Sequence, residues 1–189
     1  MDSYEIEKEI EKIKLRNQKV ELISHGKKIK EVNRMGKILV SYFSASGVTK
    51  GVAEKMANAI NGDLFEIEPV DKYTREDLNW LNKHSRSSVE MQDKSFRPQI
   101  KSKVENIDEY DTIVIGFPVW WYTAPTIINT FIEENNLANK KVYVFVTSGG
   151  SGYEKSFDDL RNTYSKINFV KGRRFKGKET VEEYMDFIG

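Results

Sequence analysis

Six consecutive residues, Ser44-Ala45-Ser46-Gly47-Val48-Thr49, place three hydroxyls and a glycine between an apolar run and a helical pattern. Backbone N–H groups at a helix N-terminus favour an anion, and glycine lets the chain bend around one. The segment lacks the Gly-Lys-Ser/Thr ending of a triphosphate-binding loop, and its first cation, Lys50, falls on the helix. Neutral donors without a lysine suit a monophosphate. A second segment, Pro118-Val119-Trp120-Trp121-Tyr122, follows another apolar run. Successive side chains of an extended segment point to opposite faces, so at least one tryptophan must leave the core side and could stack on a planar ring. A third, Thr147-Ser148-Gly149-Gly150-Ser151-Gly152-Tyr153, has the glycines and free N–H groups to approach the edge of such a ring, with Tyr153 placed to cover it. Singly, these segments also read as a helix cap, as core packing and as a flexible loop. Their shared position after strands is the argument for a ligand.

The elements that would hold them alternate. Apolar runs at 38–43, 64–68, 112–117 and 141–146, with a fifth strand near 168–175 bent at Gly172, read as strands. Helical spacing joins them: Val52, Ala53, Met56, Ala57 and Ile60; then 74–90, with Leu78, Leu81 and Val89 apolar; then a helix capped by Thr123 with Pro125 in its first turn; then 154–164 and 181–188. Parallel strands need crossover helices, so the expected fold is α/β: an open, doubly wound, five-stranded parallel sheet in the order 2-1-3-4-5. Ligands of such sheets sit beyond the strands' carboxyl ends where the order reverses, and the loops after strands one, three and four meet there.

Residues 1–35 read as a helical extension outside the domain of residues 36–189. Ile6, Ile10, Ile13 and Val20 recur at helical spacing up to His25-Gly26, and a basic connector follows. The extension is either a solvated helix or one that docks a partner or a second copy. It holds nine Lys or Arg against seven Asp or Glu, leaving 21 against 22 in the remainder of a chain whose formal net charge is +1. That balance argues against nucleic acid as a partner. The 39% hydrophobic and 31% charged composition is that of a globular protein, and no apolar run reaches the length of a membrane span. With no cysteine and only two histidines, thiolate chemistry, disulfides and a histidine-rich metal site are excluded. No secretory pattern opens the chain, which sets a cytoplasmic location as the expectation.

The three segments, written Tyr-Phe-Ser-Ala-Ser-Gly-Val-Thr-Lys at 42–50, Gly-Phe-Pro-Val-Trp-Trp-Tyr-Thr-Ala-Pro at 116–125 and Thr-Ser-Gly-Gly-Ser-Gly at 147–152, resemble the short-chain flavodoxins over residues 36–189. The resemblance implies FMN as cofactor. Residues 44–49 would hold its phosphate, residues 118–122 would line the isoalloxazine, and residues 147–153 would form the far wall. Val48 and Tyr122 depart from the family pattern. No side chain is expected to be catalytic, because the flavin supplies the redox chemistry. Electron transfer to a redox partner protein or small-molecule acceptor is the first implied function. The alternatives are an NAD(P)H-dependent quinone or flavin reductase, with the polar 70–104 segment shaping a substrate pocket, and a structural or regulatory module assembling through the N-terminal helix.

Overall fold

A computed structural model describes residues 13–14, 21–24, 26–27 and 36–189. The first eight of these are helical. The rest of the expected N-terminal helix, and with it the proposed docking or dimer contact, lies outside the described residues.

Five parallel strands, β1 (Ile38–Tyr42), β2 (Asp63–Glu66), β3 (Thr112–Pro118), β4 (Lys141–Thr147) and β5 (Asn168–Arg174), form one sheet in the order β2-β1-β3-β4-β5. Alternating side chains divide its core in two. Leu39, Ile113, Ile115, Phe117, Val142, Val144 and Val146 pack beneath α3 (Thr126–Glu134) and α4 (Glu154–Thr163). Ile38, Val40, Tyr42, Val114, Tyr143 and Phe145 pack beneath α1 (Val48–Ile60) and α5 (Val181–Ile188). Helix α1 buries Thr49, Val52, Ala53, Met56, Ala57 and Ile60, a single stripe at helical spacing. At roughly 1.5–3 kcal/mol for each fully buried large apolar side chain, these two layers dominate the stability that keeps the sheet's carboxyl edge rigid.

Four local expectations give way. The helix expected over 74–90 is only α2 (Arg86–Gln92), seven residues capped by Ser85. Upstream, polar side chains capture the backbone: Thr74 and Asp77 exchange bonds, the Leu81 N–H donates to Asn79 Oδ1, and the His84 N–H donates to Asn82 Oδ1. Such local bonds favour turns over helix. Leu81 and Val89, read as its apolar face, are exposed. Helix α3 begins at Thr126 with Pro125 as its cap residue, while the Thr123 hydroxyl donates to Asp159 instead. Strand β2 stops at Glu66, and residues 68–70 pair with 99–101 around an antiparallel Pro69–Ile100 bridge. The irregularity in β5 falls at exposed Val170, where the register slips against β4, not at Gly172.

Candidate functional site

The direction of strand addition reverses between β1 and β3, and the loops leaving β1, β3 and β4 meet above that point. The β1 loop opens onto α1 through Gly47, whose φ of 85° is one that glycine adopts without strain. Ser44 Oγ accepts the N–H groups of Gly47 at 3.1 Å and Lys50 at 3.2 Å, which folds the loop over the helix end. The N–H groups of Val48 and Thr49, in the first turn of α1, have no place in the intrahelical ladder. Ser46 is exposed beside them. Thr49 is buried, and its hydroxyl pairs with that of Thr147 at 2.8 Å, tying the β1 loop to the β4 loop.

The β3 loop closes a two-residue turn. The Trp120 N–H donates to the Thr123 carbonyl at 3.0 Å, and the Thr123 N–H donates back at 2.9 Å. Between them Trp121 and Tyr122 have φ of 46° and 65°, the double left-handed geometry of a type I′ turn that normally favours Asn-Gly. Two adjacent aromatic residues in that region hold strain of about 1–2 kcal/mol each. The turn divides the pair: Trp120 packs inward, edge-on to Phe43 at 5.5 Å and to Tyr73 at 5.3 Å, and Trp121 turns outward. Tyr73 is braced in turn. Its hydroxyl donates to buried Glu90, whose other oxygen takes Arg86 Nε at 2.7 Å, and the Arg86 guanidinium lies 4.1 Å over the Tyr73 ring. Burial first, and the Glu90 acceptor second, hold the Tyr73 phenol far above its ordinary value.

These loops enclose a cavity of about 470 Å³ lined by Ala45, Ser46, Pro118, Val119, Trp120, Trp121, Tyr122 and Ser151, together with Leu78, Trp80 and Ser87. The size is that of a small-molecule or cofactor pocket. Its lining includes no Asp, Glu, His, Lys or Arg, and no cluster of metal-ligating side chains occurs among the described residues. A wall without carboxylate, imidazole or cation suits binding and orienting a group that brings its own chemistry.

The remaining residues expected at the site, Ser44, Gly47, Val48, Thr49, Thr147, Ser148, Gly149, Gly150, Gly152 and Tyr153, fall outside the lining of this cavity. Gly149 and Gly150 have neither positive φ nor any atom within 4 Å of where a Cβ would stand. The fold itself therefore sets no demand for glycine at either position. Tyr153 is half-buried, with its ring against Phe157 and over Gly172. Of the three further lining residues, Leu78 is expected above as an apolar position of a helix, and Trp80 and Ser87 are not singled out within the 70–104 segment, although an isolated tryptophan there is a visible signal.

Among known proteins, the family model described as flavodoxin matches residues 37–189. A crystal structure of a candidate flavoprotein from Bacteroides eggerthii DSM 20697 is 49% identical, covers 81% of this chain and 96% of its own, and superposes with a TM-score of 0.79. A flavoprotein from Lactobacillus acidophilus NCFM, solved in complex with FMN, is 25% identical over 79% of this chain and 98% of its own, with a TM-score of 0.63. An uncharacterised NAD(P)H oxidoreductase of Escherichia coli K12, YcaK, is 26% identical over 139 residues, which are 64% of this chain and 71% of that protein.

Proposed function

As the chain belongs to the flavodoxin family, we propose that its switch-point cavity binds FMN and that the protein transfers electrons through this non-covalently held flavin. The observation that carries the reading is the cavity's wall: aromatic and charge-free, with Ala45 and Ser46 of the loop that leads into α1 on one side. Ser46 and the N–H groups of Val48 and Thr49 would hold the phosphate. Residues 118–122 would line the ring, and the loop at 147–152 would meet its polar edge. Freedom from any structural requirement at Gly149 and Gly150 fits close approach by a ligand there. Ser44 and Thr49 then act as positioning residues, one folding the β1 loop and the other locking it to Thr147. Bound FMN supplies the redox chemistry.

Direct reduction of a small substrate is the second reading, and two observations favour it. Residues 36–189 are nearly neutral, with 21 basic against 22 acidic residues, whereas a carrier steered to basic partners gains from strong acidity. Leu78, Trp80 and Ser87 also extend the cavity beyond the three loops, as a substrate chamber over the flavin would require. Titrating apoprotein with FMN, FAD and riboflavin tests the cofactor, and a preference for FMN is expected. Equal binding of riboflavin would remove the phosphate-binding role of the α1 terminus. NAD(P)H oxidation with a quinone then separates enzyme from carrier.

A further inference from the structure

Arg174, the last residue of β5, lies behind the glycine-rich loop that leaves β4. Its guanidinium forks onto that loop: Nη1 donates to the Gly150 carbonyl at 3.1 Å and Nη2 to the Ser148 carbonyl at 3.0 Å. Among the described residues, the hydrogen bonds that reach residues 148–152 from another element come from Arg174; the Ser148 hydroxyl bonds only within the loop, to the Ser151 carbonyl. Its Nε is buried and meets no acceptor, whereas the Nη1 bond to Gly150 lies at the surface. A trans peptide is planar, and its C=O and N–H point in opposite directions. Turning the Ser148 and Gly150 carbonyls onto Arg174 therefore turns the Gly149 and Ser151 N–H groups away from it. Ser151 lies on the cavity wall.

We propose that Arg174 is a positioning residue for the flavin's pyrimidine edge: its two-pronged grip aims the N–H groups of Gly149 and Ser151 at that edge and sets a positive charge behind them. The inference rests on the FMN reading above. Two electrons and one proton from an external reductant convert neutral isoalloxazine to a reduced form with one added negative charge, shared along that edge. Donors aimed at the place where charge develops, backed by a cation, favour the reduced form over the oxidised one, against the Glu154 carboxylate that stands beside Gly152 at the far end of the loop. Lysine carries the same charge but lacks the planar fork, so it separates alignment from charge.

The test uses the full-length chain with Arg174→Gln and Arg174→Lys. It reads the affinity for oxidised FMN and the two-electron potential of the bound flavin in dithionite titration against a reference dye. Arg174→Gln is expected to weaken reduced FMN about tenfold more than oxidised FMN, which lowers the potential by about 30 mV. Arg174→Lys is expected to weaken oxidised FMN as the Gln variant does, with a smaller fall in potential. An equal loss for both forms, or no loss for either, overturns the proposal and leaves Arg174 a purely structural prop. If the Gln variant does not fold, the Lys variant decides alone: unchanged affinity and potential overturn the proposal. Failure of the unmodified chain to take up FMN is a separate outcome, which removes the FMN reading itself.

Discussion

Replacing Tyr122 with glycine should raise the stability of the flavin-free protein while weakening its grip on the flavin. Tyr122 has a φ of 65° in the Trp120–Thr123 turn, and a non-glycine residue in the left-handed region costs about 1–2 kcal/mol. Glycine removes that strain but gives back about 0.4–1 kcal/mol through the greater freedom of the unfolded chain. The tyrosine is 70% exposed, so little burial is lost, and its carbonyl still accepts the Ser156 hydroxyl. The balance is a gain of about 0.5–1 kcal/mol, a rise of roughly 1–4 °C in melting temperature for a chain of this size. Against this, the cavity loses one aromatic wall. An aromatic contact contributes about 0.5–1.5 kcal/mol beyond its buried area, so FMN affinity should fall about two- to tenfold. Thermal unfolding of the apoprotein and FMN titration read the two effects independently. A lower apo melting temperature would refute the strain argument. Unchanged affinity would show that Tyr122 is not part of the flavin site.

That turn also marks where sequence reasoning reached its limit. The sheet order, both halves of the core and the meeting of three loops were legible because alternating buried runs and helical spacing specify them, and Val52 through Ile60 are a plain example. The turn itself was not, since nothing in Trp121-Tyr122 announces two consecutive left-handed residues; only the reciprocal bonds of Trp120 and Thr123 impose them. The 74–85 segment was misread because leucines at helical spacing outweighed Thr74, Asp77, Asn79 and Asn82, whose side chains compete for the backbone. Its contribution of Leu78, Trp80 and Ser87 to the cavity depends on contacts across some 40 residues of chain, beyond any local pattern. Arg174 escaped for a related reason. One arginine in the basic run at 171–174 carries no mark that its target is two carbonyls in a loop more than twenty residues upstream.

Further consequences are open to measurement. Gly149→Ala and Gly150→Ala should leave apo stability within about 0.5 kcal/mol, as neither site is crowded or left-handed, yet weaken FMN binding; unchanged FMN titration would show that no ligand approaches there. Thr49→Val orphans the buried Thr147 hydroxyl and should cost about 1–3 kcal/mol in urea unfolding. Acid should loosen the Arg97 segment, between α2 and β3, from α3 through Glu133. Its carboxylate takes Arg97 Nε and Nη2, each at 2.8 Å, and the Tyr164 hydroxyl at 2.7 Å. The Arg97 bonds, aided by Tyr164, hold its pKa below the ordinary 4.5. A carboxyl with a depressed folded value binds fewer protons in the folded chain than in the unfolded one. Its contribution is thus fully present above pH 4.5 and is lost as pH falls through the folded value. Glu133→Gln cannot make that contribution at any pH, so urea midpoints of variant and parent should diverge above pH 4.5 and approach each other in acid. A constant gap from about pH 3 to pH 7 would mean that the Arg97–Glu133 fork adds no ionisation-linked stability.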